Sequence, residues 1–556
     1  MVLSLVRLCA RELVSDHSLS PSWLRCMPRE LYGALLEAAF DGRRPLAVLE
    51  LVQRWPERSL RVGGRTEPGH TAPNRLCIQA LLLAVVKGLL DQRSALQVLD
   101  ICGLRADEGG MEGPMGGWSV TVALCTKVVQ ARAEVQRTQR KEGDRERKRF
   151  SDLERERDLK KERGQRQELS DDSMCSKREK LVLPCLASEA EQIKGVRRRM
   201  ELERRRETAA TGLGGSKSEM KEKETNDDVL VHVRADLFVN ARSRKCVCLA
   251  LGSSGPLKVH CRYLRVEEIS VANIRTLLNL LPCRGFLGID VRYSNLGAAG
   301  LAELLPHLSN FPELNSLRLY HCNLDLRRDR LGQEDVLRDL SQGLAQLKGL
   351  RRLSLTGLRL RGQLRVLLSS LPLPLELLEL PNLSLSPADF AYLSRSHHAF
   401  ALQQLDLSDN RLDENTLPSI GRLLSQSSSS LEHLTLSGCC LTDALLGLLL
   451  PSIGGCLKLK SLAITLIPLS MTGLMDLVRM AVKLPSLRLL LYPNPLELYE
   501  PGLPDLPSSV ELLYWPMNED ADINTTSSQL NRVLIESGRS DLLLTCDLFS
   551  YDKDLK

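Results

Sequence analysis

A segment from Phe286 to about Leu496 repeats itself, and no other feature of the chain narrows the possible folds as far. Its clearest copy, Leu402-Gln-Gln-Leu405-Asp-Leu407-Ser-Asp-Asn410-Arg-Leu412, fits the pattern L-x-x-L-x-L-x-x-N/C-x-L at every anchor. Leu431, Leu434, Leu436, Cys439 and Leu441 repeat it with cysteine in the Asn slot, as do Leu314, Leu317, Leu319, Cys322 and Leu324. Weaker copies begin at Phe286, Leu350, Leu375, Leu459 and Leu487, so first anchors are separated by 28, 36, 25, 27, 29, 28 and 28 residues. The register is kept over roughly eight turns, with one insertion after Leu324.

That pattern is the leucine-rich-repeat signature, and its physics dictates a shape. In L-x-L the period of two sends both leucines to one face of a short strand and leaves the residues between them facing out. The Asn or Cys then turns the chain and satisfies backbone groups that the bend would orphan. A helix-length stretch follows each strand: Leu301, Leu304 and Leu305 lie 15, 18 and 19 places after Phe286, and Leu474, Leu477 and Val478 lie at the same offsets from Leu459. One unit cannot bury its own apolar face, so units must stack. Helices are wider than the strand spacing of about 4.8 Å, so the stack must curve. The expected fold is an α/β leucine-rich-repeat solenoid, a horseshoe with parallel strands on the concave face and helices outside. An α-helical N-terminal region and a C-terminal cap are expected at its ends.

A chain of 556 residues accommodates such an array with further regions at either end. The net charge of +6 is small for this length and gives no reason to expect nucleic acid as a partner. No run of some 18 apolar residues is present, and Arg7 and Arg11 interrupt the first residues, so neither a membrane span nor a signal peptide is expected. The 16 cysteines are scattered, with Cys322 and Cys439 in repeat slots, which favours a reducing compartment: the cytoplasm, and with it the nucleus.

Residues 1–128 read as a helical N-terminal adaptor or capping region, with Glu30–Phe40 and Leu46–Trp55 at helical spacing. Residues 129–228 form a charged insert, in which Arg145-Glu-Arg-Lys-Arg149 and Glu154-Arg-Glu-Arg-Asp158 alternate signs almost without aromatics. It is expected to be disordered or a solvated helix. Residues 229–285 are an entry segment with a degenerate first repeat, 286–497 the repeats, and 498–556 a cap and tail.

Met27-Pro28-Arg29-Glu30-Leu31-Tyr32, Ala38-Ala39-Phe40-Asp41-Gly42-Arg43 and Val52-Gln53-Arg54-Trp55-Pro56 closely resemble the opening of the PRAME family. Asp236-Leu237-Phe238-Val239, Gly332-Gln333-Glu334-Asp335 and Ser537-Gly538-Arg539 resemble its branch of leucine-rich-repeat-containing protein 14. The resemblance covers nearly the whole chain outside the charged insert. It implies a non-enzymatic, protein-binding repeat protein, either a receptor subunit of a cullin-2 ubiquitin ligase or a signalling inhibitor that binds IκB kinase and dampens NF-κB signalling.

Three sets of residues are candidates for partner contact. Ser4, Leu5, Cys9 and Leu13 fit the pattern of an elongin-binding box, in which spacing of i, i+4 and i+8 forms one stripe for a helix-in-groove contact with elongin B/C. In adaptors of that class a second helix with a proline contacts the cullin, and Met27, Pro28 and Leu31 are the counterpart here. The alternative is that the stripe only packs on the first repeat. On the concave wall, counting two, four and six past each first anchor points Asp290, Arg292, Arg318, Tyr320, Arg352, Glu379, Asp406 and His433 outward. Arg292, Arg318 and Arg352 are expected to stack and to clamp an acidic segment.

No catalytic constellation, cofactor motif or metal-ligand spacing is found. His260-Cys261, His321-Cys322 and His397-His398 are adjacent pairs whose side chains diverge on a strand, and Gly212-Leu-Gly-Gly-Ser216 lacks the Lys-Ser/Thr of a phosphate loop. Of the L-x-x-L-L runs at Leu277, Leu301 and Leu445, the latter two are expected to serve the solenoid core.

Overall fold

The computed structural model describes residues 5–15, 27–62, 74–90, 94–104, 115–167, 230–252, 254–325, 333–518 and 523–547. Residues 1–135 and 229–556 form one compact unit and residues 136–228 a second. Ser4, Gly332, and the insert beyond Gln167 as far as 229 lie outside the described residues.

The first unit is a leucine-rich-repeat solenoid. Its strands are β1 (Ser59–Arg61), β2 (Val98–Asp100), β3 (Val231–Asn240), β4 (Leu257–Glu267), β5 (Gly288–Arg292), β6 (Ser316–Tyr320) and β7 (Arg352–Thr356). They continue as β8 (Leu377–Glu379), β9 (Gln404–Asp406), β10 (His433–Thr435), β11 (Ser461–Ala463), β12 (Leu489–Leu491) and β13 (Leu543–Thr545). Among the described residues these make one open sheet in strict chain order, and every neighbouring pair is parallel. The sheet reaches past both ends of the segment 286–497: β1 and β2 are rungs inside the region read as a helical cap, and β13 adds a last rung after it. β2 keeps the spaced anchors Leu96, Leu99 and Ile101, all buried, whereas β1 carries one leucine and β13 an unspaced run, so the period is broken at the ends of the array.

Helices alternate with the strands: α1 (Leu5–Ser15), α2 (Tyr32–Asp41), α3 (Pro45–Gln53), α4 (Arg75–Leu90), α5 (Met115–Gln167), α6 (Arg244–Leu251), α7 (Val271–Leu278) and α8 (Gly297–Leu308). Then come α9 (Gln333–Ala345), α10 (Leu364–Leu368), α11 (Pro387–Leu393), α12 (Leu417–Ser427), α13 (Asp443–Gly454), α14 (Met471–Ala481), α15 (Ser509–Tyr514) and α16 (Ile523–Glu536). The strand leucines and the helix anchors meet in one continuous core, with Leu405, Leu434, Leu462, Leu304 and Leu477 all buried. Leu405, Leu434 and Leu462 pair in register on adjoining rungs. In α13 the expected core run shifts by one residue: Leu446 and Leu449 are buried, while Leu448 is 66% exposed and Leu445 half-buried. The physical reason is the anchor offset, since 15 places after Leu431 is Leu446, not Leu445.

The Asn slot works through its side chain. Asn410 Oδ1 accepts from Leu383 N (3.3 Å) and Leu385 N (3.2 Å), and Nδ2 donates to the carbonyls of Leu380, Leu407 and Ser408 at 2.8–3.2 Å. Cysteine fills the slot less fully, Cys439 Sγ donating to Leu407 O at 3.3 Å and Cys322 Sγ to Val291 O at 3.2 Å. Near the last rungs, Arg539 donates to Val482 O, Leu484 O and Leu487 O at 2.6–2.9 Å, tying the chain after α16 to the carbonyls that follow α14. The first turns of α5 belong to this core, where Thr121 Oγ1 accepts from Phe238 N of β3 at 2.9 Å.

Candidate protein-binding surfaces

In α1, Ala10 and Val14 face inward and are buried. Leu5, Cys9 and Leu13 lie beside them on the helix wheel; Leu5 and Cys9 are exposed and Leu13 is half-buried. Arg7 and Arg11 reach Glu37 (3.7 Å) and Asp41 (3.6 Å) on α2, so the two helices run parallel with matching one-turn steps. Between them an apolar cavity of about 210 Å³ is lined by Leu5, Val6, Cys9, Ala10, Leu13, Leu31, Ala34 and Leu35. Leu31 ends a short 3-10 turn, Arg29–Leu31, that Pro28 introduces, and Met27 is half-buried against the core. The structure therefore brings three stripe residues and Leu31 to one groove. Val6, Ala34 and Leu35 join them, and helical phase alone could have found Val6.

On the wall, Asp290, Arg318, Ser354, Glu379, Asp406 and Thr435 share one row in register. Arg292 pairs instead with Tyr320, and Arg352 with Ser316 and Leu377. The expected stack of Arg292, Arg318 and Arg352 is thus replaced by a diagonal across three rows, because the three arginines sit at different places in their strands. Arg292 is also engaged: its Nε donates to Asp290 at 2.9–3.0 Å, and its guanidinium lies 5.2 Å from the Tyr320 ring. Arg265 pairs in the same manner with Glu267 two residues on.

Burial raises the Asp406 carboxyl to about 6, against the Ser408 hydroxyl and N–H that favour its charged form, with Glu379 beside it adding repulsion. Burial lowers the His433 imidazole, whose Nδ1 finds no hydrogen-bond partner among the described residues. His398 is a packing element: Nδ1 accepts from Leu375 N (3.2 Å), Nε2 donates to Leu368 O (3.1 Å), and burial lowers it to about 4. His232 Nδ1 and His260 Nε2 are 2.9 Å apart, a pair absent from the adjacent-residue reading because its members are 28 residues apart on β3 and β4. Among the described residues no three His, Cys, Asp or Glu side chains gather as a metal site, and no helix is long and apolar enough to cross a membrane.

Sequence reasoning missed one feature of this surface entirely. Each strand from β4 to β11 is followed, within one to three residues, by a residue in the left-handed region: Glu268, Tyr293, His321, Gly357, Asn382, Asp409, Gly438 and Leu466, with φ between +48° and +67°. The N–H of each of the first seven donates to a carbonyl of the next rung, as Tyr293 N does to Tyr320 O (2.9 Å) and His321 N to Thr356 O (2.9 Å).

Comparison with known proteins agrees with this architecture. Residues 3–108 match the PRAME N-terminal domain and residues 254–503 the PRAME C-terminal domain. Leucine-rich repeat-containing protein 14 of Xenopus laevis is 32% identical over 569 aligned positions, covering 98% of both chains. The proteins of that name from Mus musculus and Homo sapiens are 39% identical over 323 and 321 positions, 58% and 57% of this chain and 65% of each of theirs.

Proposed function

The chain belongs to the PRAME family, in the branch of leucine-rich repeat-containing protein 14, and from that premise we propose that this protein-binding repeat protein is a substrate-recognition subunit of an elongin/cullin-2 type ubiquitin ligase. The observation that carries the proposal is the stripe Leu5–Cys9–Leu13 on α1, of which Leu5 and Cys9 stay exposed at an apolar groove that also contains Leu31. A helix that served only as a cap would turn such a stripe inward. In this reading α1 docks on elongin B/C, the turn at Met27, Pro28 and Leu31 faces the cullin, and the concave wall holds the protein target. The work is done by binding, with the reaction left to other subunits, in the cytoplasm and with no nucleic-acid or membrane partner.

The test is co-purification with elongin B and C from cells, comparing the natural chain with Leu5→Ala plus Cys9→Ala. Elongin recovered with the first and lost with the second is the expected result. Absence of elongin from the natural chain removes the proposal and leaves a signalling inhibitor of IκB kinase as the reading to pursue.

A further inference from the structure

We infer that the ridge and wall of β5–β7 form a docking surface for an extended, acidic, proline-bearing peptide. The inference deepens the protein-binding reading by giving the chemistry of the target, and it is independent of the elongin contact.

Two aromatic residues stand on the left-handed ridge where most rungs place a small or polar one. Tyr293 holds φ +49° and is 52% exposed, and His321 holds φ +48° and is exposed. A bulky side chain is uncommon in this region, and such strain persists where surrounding structure enforces it. The Tyr293 and His321 rings lie nearly parallel, 10° between planes and 5.8 Å between centroids, and Tyr320 meets both edge-on at 5.2 and 4.5 Å. The next rung makes room for this shelf. A Cβ at Gly357 would meet the His321 ring at 2.2 Å, so only glycine lets the imidazole lie where it does.

The charges beside the shelf are unevenly matched. Asp290 and Glu267 are held by Arg292 and Arg265. Arg318, its side chain 41% exposed, is 4.0 Å from Glu379, beyond hydrogen-bond reach, and the exposed Arg352 has no ion pair among the described residues. Arg318, only loosely paired, lies one row from Tyr320 and Arg352 two rows away, so two guanidiniums remain to receive carboxylates along the wall that leads from the aromatic shelf.

Tyrosine and arginine are the residue types that dominate binding energy at protein interfaces. A polyproline II segment has no internal hydrogen bonds, keeps its shape free in solution, and lays its rings on aromatic platforms. A single-stranded nucleic acid could also stack on Tyr293, but its one phosphate per nucleotide calls for a run of free cations longer than Arg318 and Arg352 supply.

The test uses the full chain and fluorescence anisotropy of a labelled peptide of four Glu-Pro-Pro triplets. Comparators are the Lys-Pro-Pro and Glu-Gly-Ser peptides of equal length and an oligouridylate. Preferential binding of the Glu-Pro-Pro peptide, weakened about tenfold by Arg318→Glu and by Gly357→Ala, is the expected result. Gly357→Ala changes no charge but also strains a backbone held at φ +63°, so His321→Ala is made beside it to read the loss of the ring alone. Equal binding of the Lys-Pro-Pro or Glu-Gly-Ser peptide, tighter binding of oligouridylate, or indifference to both substitutions overturns the inference. Each wall variant is also scored for elongin recovery: elongin retained with peptide binding absent defeats this inference alone, and peptide binding with elongin absent defeats only the ligase reading.

Discussion

Leu434 in β10 is almost fully buried, whereas Leu5 in α1 is 76% exposed, although both sit in a regular leucine pattern of the same chain. A rung leucine has a neighbouring strand on each side and a helix behind it, so removing it opens a cavity. The leucine of α1 has α2 on one flank only, and its other neighbours are solvent and an open groove. Identical side chains thus hold the solenoid together at one place and stand open to solvent at another.

The largest effect should come from the rungs. Leu434→Ala is expected to destabilise the protein by about 2–5 kcal/mol, since the packed rungs on either side cannot collapse into the void. Equilibrium urea unfolding measures it, and a loss below about 1 kcal/mol would mean that rung and terminal leucines are equivalent.

Next comes the Asn slot, where rungs can be compared with each other. Asn410→Ala leaves two N–H groups and three carbonyls short of their partner, for a loss of about 2–4 kcal/mol. Asn410→Cys should recover part of this, because Cys322 and Cys439 each retain a carbonyl contact to the preceding rung. Equal losses for the two variants would show that hydrogen bonding is not what the slot supplies.

On the wall, burial works against a charge. Asp406 has its folded-state pKa raised from 3.8 to about 6, so the folded protein holds a proton that the unfolded chain has already released. Stability therefore falls as pH rises from about 4 to about 6, then levels off. Asp406→Asn should remove that slope and add about 1–3 kcal/mol at neutral pH. Thermal unfolding between pH 4 and 7 checks the sign, and an unchanged slope in the variant would assign the effect to another group.

These residues also show how much a reader of the sequence can see. Leu405, Leu434, Leu462 and Asn410 were legible because packing imposes a period on them, and period survives in one dimension. The accessible stripe of α1 was legible as a pattern, but whether it faced inward was not, since that depends on where Ala10 and Val14 find α2. The wall arginines do not share a row because Arg292, Arg318 and Arg352 lie six, four and two residues past their anchors, and the strand register follows those offsets, so this part was legible in the sequence. The left-handed ridge was half legible: Gly357, Asn382, Asp409 and Gly438 are residue types that favour positive φ, whereas Glu268 and Tyr293 are not, and there the N–H donated to the next rung holds the conformation. β1 was hidden because only Leu60 and Val62 mark it, whereas β2 carries Leu96, Leu99 and Ile101 at the repeat's own spacing and was legible.

The smallest effect is the one on which the comparison turns. Leu5→Ala plus Cys9→Ala removes apolar atoms that water already reaches, so stability should change by no more than about 0.5 kcal/mol. Ala10→Asp on the same helix should destabilise by several-fold more, because Ala10 is buried and a carboxylate there would be left without a partner. Urea midpoints of the two variants, set beside their elongin recovery, separate packing from recognition. If the Leu5 and Cys9 substitutions lower the midpoint as Ala10→Asp does, the stripe is a cap that holds α1 in place, and its exposure has no bearing on a partner.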